Sequence, residues 1–234
     1  MKNNRALSPQ AVESILKAHN ISKDAPPKSA LFWRLWEQCY SIAEQALGTE
    51  FIQSIKSGTL DPVVYGGFNV SDAYYCFKGA EAYQFAASRA QDIVLEAFLT
   101  KKHESYDSYN QTFPKVWHVR DAAGIVPTKV TEQYAAFEAK VAQEADPIYC
   151  LIVMLPCEYL WAWLGAKLSP AASNNLYAPW IKGNNYPSGA YVMGNFLDAY
   201  QKQYTVDEEL ALEYYKQAME FEYQNFEIAT VKPK

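Results

Sequence analysis

The chain has 234 residues, half of them hydrophobic, and a formal net charge of −5 from 21 Lys and Arg against 26 Asp and Glu. That length suffices for one domain with a sizeable core, and with no basic run or stripe, nucleic acid and anionic membranes are poor partner candidates. Phe, Trp and Tyr make up 15% of the residues and 18 of them are tyrosines, so many phenols must be placed at surfaces, in polar pockets or against buried partners.

Met1-Lys2-Asn3-Asn4-Arg5 leads into Ser8-Pro9 and not into an apolar signal core. Ser8 followed by Pro9 is an N-cap and first-turn signal, and Val12, Ile15 and Leu16 recur at helical spacing until Pro26-Pro27 breaks the pattern. From Ser29, the residues Leu31, Phe32, Leu35, Trp36, Cys39 and Tyr40 form a wide apolar helical face. A long helix rich in Ala, Tyr, Phe and Glu is expected from about Asn69 to Leu99. Lys101 to Val126 is the least regular part and reads as a connection with one short helix. Helices resume over Thr128 to Glu144 and Pro147 to Leu168, with Pro156 in mid-helix. Ser169 to Ser188 is loop-rich apart from a turn near Tyr177-Ala178-Pro179-Trp180. The last two helices are expected over Gly189 to Gln203 and Val206 to Ala229.

No region alternates with period two between hairpin turns, and no repeat or linker stands out, so residues 1–234 read as a single all-α domain. The most apolar run, Ile148 to Leu155, is too short to span a bilayer and is followed by Pro and Glu. Cys39, Cys76, Cys150 and Cys157 form no CxxC pair. Cys150 and Cys157 share a helix face but lie two turns, about 10 Å, apart, too far for a disulfide. Free thiols without a signal sequence imply a cytoplasmic protein.

No metal or cofactor is expected. Only His19, His103 and His118 are available, none three residues after a Glu, as a carboxylate-bridged di-metal centre in a bundle would need. Phosphate-cradling glycine motifs are missing. More chemistry is offered by Met154-Leu155-Pro156-Cys157-Glu158-Tyr159. A proline inside a helix removes a hydrogen bond and costs about 3 kcal/mol, and the kink can expose the next side chain. Cys157 is then either a small core residue beside a bend or an accessible thiol shaped by it. Asp72, Tyr75 and Cys76 share one helical face. Glu222 stands among the aromatics of Phe221-Glu222-Tyr223-Gln224-Asn225-Phe226.

In combination these segments resemble the TenA/thiaminase II family. The Leu-Pro-Cys helix, Gly165 eight residues past the Cys, and Tyr177-Ala178-Pro179-Trp180-Ile181 match its central signature. Tyr65, Phe68, Asp72 and Tyr75 fit its upstream motif, Tyr134 its tyrosine ahead of the Cys helix, and Glu222-Tyr223-x-x-Phe226 its last helix. The resemblance implies a heme-oxygenase-like helical bundle without heme, a homo-oligomer (dimer or tetramer), and hydrolysis of an aminopyrimidine in thiamine salvage. Carried over by position, Cys157 is the nucleophile and Asp72 and Glu222 hold or protonate the ring nitrogens and amino group. Phe68, Tyr75, Tyr134 and Trp161 line the pocket for a small aromatic heterocycle.

Three positions depart from the family pattern. Trp161 stands where a tyrosine is usual four residues after the Cys, and Ser71 replaces a Gln before Asp72. The catalytic tyrosine after Trp-Ile falls on Asn184 if counted without gaps, or on Tyr186 if Asn184-Asn185 is an insertion, and the second alignment is preferred, making Tyr186 the expected catalytic tyrosine. The competing expectation is a diverged, non-catalytic relative that binds a different small aromatic ligand.

Overall fold

The helical periods become eleven α-helices in the computed structural model, which describes residues 7–231; the Met1–Arg5 lead lies outside these. Among the described residues there is no strand, so the fold is all-α. Two compact units can be distinguished: residues up to Ile21 with Val70–Leu151, and Ser22–Asn69 with residues from Ile152 onward.

In the first unit, α1 (Pro9–His19) starts where the Ser8 hydroxyl accepts from the Ala11 amide at 3.3 Å, and it packs on α5 (Ile93–Asn110). The long helix expected from Asn69 to Leu99 is in fact two, and the boundary is a capping event. The α4 helix (Pro62–Arg89) ends, and Asp92 Oδ1 then accepts from the amides of Val94 at 3.0 Å and Leu95 at 2.8 Å to start α5. A side-chain carboxylate that satisfies orphan amides favours a new start over a continuous helix. The irregular segment is correspondingly shorter than expected, holding α6 (Phe113–Val116) and a 3₁₀ turn at Ala122–Gly124. Thr128 caps α7 (Lys129–Glu144), its hydroxyl accepting from the Thr131 amide at 3.1 Å.

The second unit is built on α2 (Leu31–Gly48), which packs against α10 (Ser188–Gln201) and α11 (Glu208–Ile228). A helix not anticipated from the sequence, α3 (Glu50–Ser57), follows a Thr49 cap and lies on α2 and α11. The Asn175 side-chain amide donates to the carbonyls of Ile55 at 2.9 Å and Lys56 at 3.0 Å, and the Tyr177 hydroxyl donates to the Leu60 carbonyl at 2.5 Å. These bonds fasten the loop before α9 (Ala178–Asn184) to the end of α3.

The α8 helix (Ile148–Leu168) contributes residues to both units and continues without a break through Pro156. Over its full 21 residues it has the length and apolarity of a membrane span, which corrects the shorter run seen in the sequence. The helix does not stop at Pro156 and Glu158, so the apolar stretch is longer. In the fold, 78% of its most apolar window is buried, as for a core helix.

Gly165 on α8 is fixed by packing. A Cβ there would lie 2.7 Å from the Asn185 amide nitrogen and 2.8 Å from the Asn184 carbonyl carbon, both backbone atoms. Backbone cannot swing aside, so Gly165→Ala is expected to cost about 1–3 kcal/mol, the usual range for overpacking, read as a lowered midpoint in urea denaturation.

Candidate functional site

Most of the residues singled out from the sequence fall into two clusters, one in each unit. In the second unit, Cys157 and Trp161 are one turn apart on α8, so their side chains share a face. The Cys157 thiol is half-buried, in contrast to the buried Cys39, Cys76 and Cys150, and none of the four is in a disulfide. Trp161 reaches α11, where its indole N–H donates to Glu222 Oε2 at 2.9 Å. Glu222 is only 3% exposed. A carboxylate at that depth is tolerable only with hydrogen-bond donors, and Trp161 supplies one.

Aromatic rings close around this pair. Trp161 has ring centroids 5.5 Å from Trp180, 5.6 Å from Phe226 and 6.0 Å from Phe68, while Phe68 and Phe226 stack at 5.6 Å. The Trp180 indole N–H is buried and has no hydrogen-bond partner among the described residues. The box therefore offers flat apolar walls, a carboxylate, and a thiol one turn along α8. That is a suitable surround for a planar heterocycle.

The first unit holds the other cluster, where α4 meets α7. Ser71 Oγ lies 2.9 Å from Thr131 Oγ1 and accepts from the Thr128 amide at 3.1 Å, which ties α4 to the start of α7. One turn on, the Tyr75 ring lies 4.8 Å from Tyr134, and its hydroxyl donates to Glu138 Oε1 at 2.7 Å. Asp72, on the same face of α4, makes no hydrogen bond or ion pair among the described residues. Burial alone pushes its carboxyl from 3.8 up to about 7, because desolvation without a compensating donor favours the neutral acid.

No family model matches the chain. An aminopyrimidine aminohydrolase of Halalkalibacterium halodurans is 24% identical over 159 residues, covering 63% of this chain and 70% of that protein. A TenA homologue from P. horikoshii OT3 superposes with a TM-score of 0.74 at 19% identity, over 86% of this chain and 98% of that one. A TenA family transcription regulator from Silicibacter sp. TM1040 gives 0.75 at 16% identity, over 88% and 99%. The chain has the TenA fold. The Leu-Pro-Cys block in the sequence resembles the same family that these comparisons return.

Within the TenA fold, one candidate stands apart. Tyr186 is 66% exposed and shares no ring contact with the Glu222 box among the described residues. The backbone of Asn184 and Asn185 packs on Gly165, and the Asn184 side chain turns back to the Trp180 carbonyl at 2.9 Å. That packing leaves Tyr186 beyond the contact, at the surface. Glu138 was missed in the sequence, although it lies one turn after Tyr134 on the buried face of α7 and is 1% exposed. A Glu at the i+4 position of an otherwise apolar stripe was the available signal.

Asp72 makes a test of its surroundings by pH. The unfolded carboxyl ionises near 3.8 while the folded one keeps its proton to about 7. Between those values the folded chain binds more protons, so this group erodes stability as pH rises from about 4 to about 7, with no further loss above. Asp72→Asn removes the effect. Its gain in melting temperature over the parent is expected to be larger at about pH 8 than at about pH 4, as followed by circular dichroism.

Proposed function

We propose that the chain is a hydrolase of an aminopyrimidine, thiamine or the pyrimidine released when thiamine degrades, and that Cys157 is its nucleophile. The observation that carries this is the hydrogen bond from Trp161 to Glu222 one turn from the Cys157 thiol, inside an aromatic box. The aminohydrolase at 24% identity supports the substrate class. In this reading the Cys157 sulfur adds to an electron-poor ring carbon as Glu222 protonates a ring nitrogen. The C–N bond at the exocyclic methylene then breaks to expel the amine, water adds to that methylene, and the sulfur is expelled from the ring carbon to restore the thiol.

An indole N–H is a donor and never an acceptor. Trp161 therefore engages Glu222 Oε2 only as an acceptor. A tyrosine at this position could donate or accept, so Trp161 makes the role of Glu222 more definite than the usual family residue would. No cofactor is required. The setting we infer is cytoplasmic thiamine salvage, by one domain in a homo-oligomer.

The surface position of Tyr186 favours a second reading, a diverged protein that binds such a heterocycle without turning it over. Thiamine and its aminomethylpyrimidine, incubated with the protein and followed by mass spectrometry, separate the two. Product is expected from the parent, with a loss of 10²-fold or more in Cys157→Ala and an unchanged circular dichroism spectrum. Saturable binding without product would favour the second reading, and wild-type turnover by Cys157→Ala would exclude a cysteine mechanism.

A further inference from the structure

On one face of α8 the Cys157 thiol and the Trp161 indole are separated by about 6 Å along the helix axis. Both are partly exposed, as is Phe68, whereas what the indole leans on is deeper. Phe51 and Phe226 are completely buried, and Trp180 and Glu222 nearly so. The indole is held twice over. Its N–H donates to Glu222 Oε2 at 2.9 Å, and the rings of Trp180 and Phe226 lie 5.5 and 5.6 Å from its own. Those rings are braced in turn, with Phe51 4.3 Å from Phe68 and 6.0 Å from Phe226. Trp161 therefore cannot retreat cheaply. To do so it would take its donor away from a buried carboxylate or overpack the rings behind it.

We propose that Trp161 is a specificity-determining residue that limits the room beside Cys157, so that the site takes the one-ring aminomethylpyrimidine and discriminates against two-ring thiamine. The inference rests on the aminopyrimidine reading given above and names which of its substrates the site prefers. In both substrates Cys157 attacks the same pyrimidine, and the bond that breaks joins the exocyclic methylene to nitrogen. The nitrogen departs with the bonding pair and water supplies the hydroxyl to the methylene. Ammonia leaves in one case and a whole thiazole in the other, so any preference between them arises where the departing group is held. A tyrosine at 161 would present one ring there, and the indole presents two fused rings. A pinned wall of that bulk excludes a second ligand ring because close-packed aromatics behind it leave nowhere for it to move.

The test is kcat/KM for aminomethylpyrimidine, its N-methyl and N-benzyl derivatives and thiamine, in the parent, Trp161→Tyr and Trp161→Phe. The parent is expected to favour aminomethylpyrimidine over thiamine by at least about tenfold, with a stepwise fall along the amine series. Trp161→Tyr is expected to narrow that ratio several-fold, with thiamine turned over faster in absolute terms, chiefly through KM. Trp161→Phe also lacks the donor to Glu222, so it is expected to be slower on every substrate while keeping the narrowed ratio. If Trp161 serves only to hold Glu222, each variant falls by one factor on all substrates. An unchanged ratio of that kind overturns the inference and leaves the aminopyrimidine reading standing, as does a parent that takes thiamine as readily as the smaller amine. Binding without product moves the same comparison to dissociation constants measured by calorimetry. Neither product nor binding from any of the four compounds ends the reading and the inference together. If neither variant folds, the amine series on the parent decides, because a flat series excludes a size limit.

Discussion

The α8 helix has no polar face to give to water. From Cys150 to Leu155 every side chain is completely buried, and a helix apolar all round is stable only when covered all round. Burial of Leu151, Ile152, Val153, Met154 and Leu155 is worth on the order of 10 kcal/mol at about 1.5–3 kcal/mol each. The proline at 156 costs about 3 kcal/mol in a helix interior, so the helix runs on through it. In the second unit the later part of α8 is covered by rings, with Tyr159 packed edge-on to Phe32 at 4.8 Å and to Trp36 at 4.6 Å.

The proposed nucleophile lies just past this dry stretch. Cys157 and Glu158 are the first residues of α8 beyond Met154 and Leu155 to regain partial exposure, and Trp161 follows one turn later. A thiol placed earlier, as Cys150 is, has its ionisation strongly opposed by burial. The same apolarity that fixes α8 therefore restricts a reactive cysteine to the end where burial relaxes. Glu222 lies deep, and an indole comes to meet it.

Helix number and period were largely legible because apolar stripes and caps are local signals. Ser8, Thr128 and the Leu-Pro-Cys helix behave as their residues suggest. The break at Ala90–Asp92 was not legible, because the Ala-rich periodicity continues across it and only the Asp92 cap marks a new start. The α3 helix is eight residues, too short for periodicity to separate it from a loop. Within the candidate site, residues on one helix face were found by spacing. Glu138 and the exposure of Tyr186 were not, since each depends on what another element brings to it: the Tyr75 hydroxyl in one case, the packing of the Asn184–Asn185 backbone on Gly165 in the other.

Three acidic side chains illustrate how one residue class takes different roles. Glu222 is buried with an indole donor, and Glu138 is buried with a phenol donor. Asp72 has no such donor among the described residues, and its carboxyl titrates near neutrality. Donors stabilise the charged form and bare desolvation the neutral one, and this contrast separates Asp72 from the two hydrogen-bonded acids. It comes from the choice of neighbour and not of the acid itself. Trp161 and Tyr75 are thus as much a part of the electrostatic design as the carboxylates they hold.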